Sequence, residues 1–172
     1  MSARVDVFVA AGSNVEPIEH LRRALDVLER HFAPLRVSTA YSNRAVGFEG
    51  DDFVNLVVQF QTALQARDVL PYLHEAEAAC GRPRHAPKWA PRTMDLDMLL
   101  YDALVLDEPG LTLPRPDLLR RPYMLGPAAE LTPAFVHPVA RRTLGELWLE
   151  MQARETPALR AVALDWPSRA AL

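Results

Sequence analysis

The chain has 172 residues, 49% of them apolar and 24% charged, with a formal net charge of −3. That length suits one domain with a sizeable core, and the acid excess argues against a nucleic-acid binder, whose phosphate partner favours a basic surface. One cysteine, Cys80, excludes an intramolecular disulfide and a cysteine-based zinc cluster. No stretch approaches the roughly 20 apolar residues of a membrane span, and no signal peptide opens the chain. A cytoplasmic protein is expected.

Val5, Val7 and Val9 alternate with Asp6, Phe8 and Ala10, the two-residue period of a first strand. Gly12-Ser13-Asn14 then reads as a tight turn. Pro17 suits the first turn of a helix, and Ile18, Leu21, Leu25, Leu28 and Phe32 recur at helical spacing. A strand, a glycine turn and a helix also make a phosphate cradle, but one glycine without a lysine is a poor P-loop. Leu35 to Tyr41 is a second strand candidate, and Ser42 to Asp52 reads as a polar loop. Phe53 to Thr62 is the clearest strand: Val54, Leu56, Val58 and Phe60 form a core face, and Phe53, Asn55, Val57, Gln59 and Gln61 a half-open one. Val69, Leu73, Ala76 and Cys80 mark a second helix, closed by Gly81. Pro71 is tolerated if it falls in the first turn, where backbone N–H groups lack partners anyway. Glu75 and Glu77 lie near the C-terminal end, where the helix dipole disfavours acids. That misfit points to another task for Glu77.

A basic loop comes next, with Arg82, Arg84, Lys88 and Arg92 around Trp89. The strand after it places Met94, Leu96, Met98 and Leu100 on one face and Asp95 with Asp97 on the other. Two carboxylates side by side repel unless a cation sits between them. An all-oxygen pair suits Mg²⁺, which takes one or two carboxylates plus substrate phosphates. Carboxylates beside a cationic loop therefore suggest a metal-bound polyphosphate; the plainer alternative is a solvated acid pair next to an ordinary basic loop. Beyond Tyr101, Leu104 to Leu106 is a short apolar piece and Leu113-Pro114-Arg115-Pro116 is extended. Short helical pieces are expected at 118–121 and 123–130, a last helix at 143–153, and an edge strand at 162–164.

The order β-α-β-β-α-β through residue 101 predicts an α+β, ferredoxin-like antiparallel sheet with helices on one face, followed by a C-terminal extension of short strands and helices. Residues 1–172 form one domain in this reading. Phe53, Asn55, Asp95 and Asp97 then share the face away from those helices, where the second half of the chain walls in a site.

Gly12-Ser13-Asn14, Phe53-Val54-Asn55, Gly81-Arg82 and Trp89-Ala90-Pro91-Arg92-Thr93-Met94-Asp95-Leu96-Asp97 together resemble the 6-hydroxymethyl-7,8-dihydropterin pyrophosphokinase family of folate biosynthesis, over roughly residues 5–150. The resemblance implies transfer of the β,γ-diphosphoryl unit of ATP to a pterin hydroxymethyl oxygen, with two Mg²⁺ ions. Position by position, it implies that Asp95 and Asp97 hold both metals, that Arg82 and Arg92 contact the transferred phosphates, and that Trp89 closes the loop. Asp95 is also implied in orienting the attacking hydroxyl. It further implies ATP contacts for His74, Glu77, Arg84, Lys88, Met98, Thr112, Arg115 and Arg121. The pterin falls to Phe53 and Tyr123 as stacking rings, with Asn55 on its polar edge and Asn43, Val46 and Gly47 in the pocket wall. A monomer is expected, with no nucleic acid or membrane as partner.

Three departures from the family pattern stand out. Asn43-Arg44, ahead of Gly47, replaces a usual Thr-Pro pair, His74 replaces a frequent glutamine, and Arg115 replaces the histidine of a usual Pro-His-Pro. Arginine is always charged and offers a planar fork of donors, so Arg115 is expected on the ATP phosphates; Asp117 is its alternative partner. The departures leave open a paralogue with altered substrate or no turnover. An RNA-binding ferredoxin-like module is a further alternative, disfavoured by two aspartates on the open face.

Overall fold

A computed structural model of the chain describes residues 3–44, 52–81, 93–155 and 157–167. Arg82, Arg84, Lys88, Trp89, Arg92, Val46 and Gly47 lie outside the described residues. In chain order the elements are β1 (Val5–Ser13), α1 (Pro17–Phe32), β2 (Arg36–Val37), β3 (Ala40–Asn43), β4 (Phe53–Thr62), α2 (Ala66–Ala79), β5 (Asp95–Tyr101), β6 (Leu106–Glu108) and β7 (Leu111–Leu113). A 3₁₀ turn (Pro116–Leu119), α3 (Pro122–Leu131), α4 (Leu144–Arg154) and β8 (Arg160–Val162) complete the chain.

The main sheet runs β5-β1-β4-β3-β8, with β2 also pairing β4, and every pair is antiparallel. It carries an apolar layer on each face. On one face Val7, Val9, Leu56, Val58 and Met98 pack against Leu21, Leu25 and Leu28 of α1 and Val69 and Leu73 of α2. On the other, Phe8, Ala10 and Val57 pack against Leu118 and against Met124, Leu125 and Ala128 of α3, with Leu144 and Met151 of α4. The first two helices share a face, as the sequence predicts. The opposite face is covered by the helices of the C-terminal half.

Several elements differ from the sequence reading for identifiable reasons. Gly12 and Ser13 extend β1, because both are paired across β4, and the turn begins only at Asn14. Glu16 closes that turn with a left-handed φ of 40°. The second strand is split into β2 and β3; between them the Ser38 hydroxyl accepts from the Val57 N–H, and the Ser38 N–H donates to the Val57 carbonyl. Pro71 lies inside α2 rather than in its first turn. The helix starts at Ala66, so the missing N–H of Pro71 leaves the Arg67 carbonyl without its usual helical donor. Gly81 caps the helix at φ 78°, its N–H donating to the Ala78 carbonyl.

The largest correction concerns β5. Phe8 pairs Leu100 but Val9 pairs Met98, so Leu99 is an extra residue in the ladder. Such a bulge inverts the facing of the residues beyond it. Leu96 and Met98 stay with α1 and α2, as expected, but Leu100 joins Phe8 in the α3 layer. The sequence reading also missed the β6–β7 hairpin, whose turn at Pro109-Gly110 has φ 82° at the glycine. The C-terminal strand pairs β3 two residues earlier than expected, with Val162 opposite Ala40.

The α3–α4 connection is tied by His137. Its buried Nδ1 accepts from the Val139 N–H at 3.2 Å and the Ala140 N–H at 3.0 Å. Both bonds require a neutral ring carrying its proton on Nε2. Burial holds the His137 pKa below its ordinary value. The unfolded chain therefore takes up this proton first as pH falls, and stability is lost on descending from the unfolded value of about 6.5 toward the lower folded value. Between pH 7.5 and 5, thermal melting should show a smaller loss for His137→Asn than for the wild type, since Asn keeps an acceptor but does not titrate. Parallel losses would exclude His137 as the source.

Candidate active site

The register of three strands builds one row across the sheet. Asn55 of β4 pairs Gly12 of β1, and Gly12 pairs Asp95 of β5. One step along, Val57 pairs Ala10 and Ala10 pairs Asp97. Asn55, Asp95 and Asp97 thus share the face that meets α3, with only glycine and alanine between the amide and the acids. Two strand spacings, about 10 Å, separate the ends of each row. A Cβ built on Gly12 would lie 2.3 Å from the Asn55 Oδ1 and 3.8 Å from Phe53 Cδ1. Any larger residue there would push the Asn55 amide aside.

Asn43 of β3 is opposite Phe53. Its Nδ2 donates to the Arg44 carbonyl at 3.1 Å, which turns its own Oδ1 toward Asn55. Asn55 donates its Nδ2 to that oxygen. The chain of bonds leaves the Asn55 Oδ1 as an acceptor over Gly12. Asn55 is 8% exposed, so the face read from sequence as half-open is largely closed here. Tyr123 stands half-buried at the start of α3, against the second apolar layer. Burial raises its pKa; Arg121 opposes the rise, and Asp117, Asp97 and Asp95 add to it. The ring is therefore within electrostatic reach of both strand acids.

Along the outer edge of β5 runs a cleft of about 970 Å³. One wall is α2, with His74 and Glu77; the other runs from Thr112 past Arg115 and Asp117 to Arg120. Asp95, Asp97 and Met98 line the base. Of the predicted nucleotide residues, His74, Glu77, Met98, Thr112 and Arg115 meet in this one cleft, whereas Arg121 does not line it. Thr112 donates to Asp107 at 3.2 Å. Sequence reasoning placed neither Asp117 nor Arg120 in a site. The Pro-rich stretch 113–116 was the available signal, since it runs back beside β5 and leads into Asp117 and Arg120: the Arg115 N–H donates to the Leu99 carbonyl at 2.9 Å.

Glu77 has the other task its helix position hints at. One of its carboxylate oxygens accepts from the Leu96 N–H at 2.9 Å. Leu96 lies between the two aspartates, on the strand edge that β1 does not cover. A helix carboxylate so replaces a missing neighbour strand and fixes the backbone that aims both acids.

Among the described residues no group of three or more His, Cys, Asp or Glu side chains is arranged to hold a metal. The paired acids offer hard oxygen donors only. That set fits a cation of the Mg²⁺ type that completes its shell with phosphate oxygens and water, and does not fit a closed structural site.

Residues 8–133 match the family model described as 7,8-dihydro-6-hydroxymethylpterin-pyrophosphokinase. The chain is 34% identical over 142 residues to the 2-amino-4-hydroxy-6-hydroxymethyldihydropteridine pyrophosphokinase of Aquifex aeolicus, covering 81% of this chain and 88% of that one. It is 39% identical over 131 residues to the Pseudomonas aeruginosa protein of the same name, covering 74% and 80%. In fold it is similar to the Plasmodium falciparum HPPK-DHPS crystallised with pteroate, at a TM-score of 0.72 and 12% identity, covering 90% of this chain and 43% of that longer one.

Removing the Glu77 acceptor strands a buried backbone N–H, which typically costs about 1–3 kcal/mol. Chemical denaturation should show Glu77→Ala destabilised on that order and Glu77→Gln, which keeps an acceptor oxygen, much less. Equal stability of all three proteins would remove the strand-holding role.

Proposed function

This chain belongs to the 7,8-dihydro-6-hydroxymethylpterin-pyrophosphokinase family, and on that premise we infer how its own residues carry the reaction. The family's enzymes serve folate biosynthesis by transferring a diphosphate from ATP to 6-hydroxymethyl-7,8-dihydropterin and releasing AMP. The hydroxymethyl oxygen bonds to the β-phosphorus. The bond from that phosphorus to the α,β-bridging oxygen breaks, AMP keeps the bridging oxygen, and the hydroxyl proton is released.

The observation that carries the residue assignment is the row Asn55–Gly12–Asp95. A flat bicyclic ring placed between the Asn55 amide and the acids would meet the Asn55 acceptor at one end and the acids at the other. Pterins carry N–H donors on one edge, so the Asn55 Oδ1 is a suitable partner. Phe53 and Tyr123 supply the aromatic faces. Asp95 orients the hydroxyl by accepting its hydrogen bond. Asp97 with Asp95 would hold the two Mg²⁺ ions, whose chemistry when bound is neutralisation of phosphate charge and clamping of the attacking and leaving oxygens. His74, Glu77, Met98 and Thr112 bound the nucleotide cleft, and Arg115 reaches the phosphates. Arg82, Arg84, Lys88, Trp89, Arg92, Val46 and Gly47 enter this reading through the family signature alone.

The strand order β5-β1-β4-β3 supports reading the first 101 residues as a ferredoxin-like core. The second apolar layer, built from α3 and α4, supports one domain over 1–172. The reading extends to a monomeric cytoplasmic enzyme. Among the described residues no helix is long and apolar enough to cross a membrane. Cys80 is an unpaired cysteine whose burial pushes the thiol up to about 11, which suits a reducing compartment.

With ATP, Mg²⁺ and the hydroxymethyl pterin, the protein should release AMP and the pterin diphosphate, and Asp97→Ala should reduce turnover by orders of magnitude while leaving the circular dichroism spectrum intact. ADP as the product, or near-normal Asp97→Ala activity at saturating Mg²⁺, would sink the assignment. For the pterin end, Gly12→Ala displaces the Asn55 amide and Asn55→Ala removes it. Each should weaken pterin binding by about 1–3 kcal/mol with far less effect on ATP. Equal losses for both ligands in calorimetry would indicate a folding defect instead.

A further inference from the structure

Arg115 is anchored by its backbone and loosely held by its side chain. Its N–H donates to the Leu99 carbonyl at 2.9 Å, and its carbonyl accepts from the Leu118 N–H at 3.1 Å. Pro114 and Pro116 restrict the backbone on both sides. The guanidinium, in contrast, lies between two acids. Nη2 is 3.5 Å from the Asp97 Oδ1, and Nε is 3.6 Å from the Asp117 Oδ2. Both separations attract, yet both exceed the 2.7–3.2 Å of an N–H···O hydrogen bond. The Nε is shielded from solvent and has no hydrogen-bond partner among the described residues. A buried donor in that state gains when a better acceptor arrives, and a phosphate offers several oxygens to a planar fork.

Asp97 is also one of the two carboxylates assigned to the metal. A guanidinium and a metal cation against the same carboxylate repel each other. We propose that Arg115 is an interim counter-ion: in the nucleotide-free enzyme it occupies the cation side of Asp97 and opposes binding of a metal alone, and when the metal–nucleotide complex enters it transfers to the ATP phosphates. Metal and nucleotide then bind cooperatively, because the same side chain that resists one welcomes the other. Asp117 keeps the side chain poised by drawing the Nε away from full contact with Asp97. This inference rests on the metal role of Asp97.

The test measures binding, with Mn²⁺ as the probe and α,β-methylene-ATP as a nucleotide whose scissile bridge is blocked. Free Mn²⁺ is followed by electron paramagnetic resonance with and without the analogue. In the wild type the analogue should tighten Mn²⁺ binding, by a factor in the usual coupling range of about 5–150. Arg115→Ala should bind Mn²⁺ alone severalfold more tightly, bind the analogue severalfold more weakly, and show a smaller coupling than the wild type, the remainder coming from direct metal–phosphate bonds, once Mn²⁺ held by the analogue in protein-free solution is subtracted. Arg120 lines the same cleft without an ion pair to Asp97 among the described residues, so Arg120→Ala controls for the loss of a positive charge and should change Mn²⁺ affinity much less. Unchanged or weaker Mn²⁺ binding by Arg115→Ala, or an equal gain in Arg120→Ala, would overturn the counter-ion role while leaving the enzyme assignment standing. A wild type that binds no Mn²⁺ even with the analogue would overturn both.

Discussion

Two carboxylates one residue apart on the same face of a strand repel, and much of this molecule is arranged around keeping that pair in place. The strand that carries Asp95 and Asp97 is the edge of the sheet, with β1 on one side only. Its open edge is closed by the Glu77 carboxylate on the Leu96 N–H and by the Arg115 N–H on the Leu99 carbonyl. Both bonds come from outside the sheet, and both lie within the stretch that aims the acids. Fixing a strand from its edge in this way uses its backbone groups and not the side chains of Asp95 and Asp97.

The floor beside the acids is made of absences. Gly12 and Ala10 have little or no side chain, and the Asn55 amide lies over Gly12 where a Cβ would stand. Elsewhere along the same face the residues are large: Phe8, Leu99 and Leu100 fill the space under α3. The Leu99 bulge separates the two regimes. Below it β5 alternates acids outward and apolar residues toward α1 and α2; above it the chain turns Leu100 into the second core. Burial of a leucine there stabilises by about 1.5–3 kcal/mol, so the packing that holds α3 also fixes where the acid pair ends.

Among the described residues the cleft is acid-rich, with Glu75, Glu77, Asp95, Asp97 and Asp117 facing Arg115 and Arg120. Arg115 approaches Asp97 and Asp117 without forming a short bond to either. Asp117, Asp97 and Asp95 each push the Tyr123 hydroxyl further toward its neutral form. A site of this kind keeps its donors and acceptors oriented while leaving them energetically ready to exchange partners.

Periodicity alone was enough for the long elements, though not for β6, β7 or the bounds of β8. The apolar spacing of α1, the alternation of β4 and the same-face placement of Asp95 and Asp97 come from residue types and from the two-residue and 3.6-residue periods. The family signature named the chemistry because phosphoryl transfer demands a narrow set of acids and cations at fixed spacing. Other features needed the fold. The bulge at Leu99 shifts one residue and has no local signal in an all-apolar run. The use of Glu77 as a strand partner depends on α2 lying beside the edge of β5. Arg115 could be read from sequence as a phosphate ligand or as a partner of Asp117, but its place against Asp97 depends on a turn that brings residue 115 back to residue 97. Contacts between residues far apart in the chain are set by how layers pack, and packing is decided by the whole set of side chains at once.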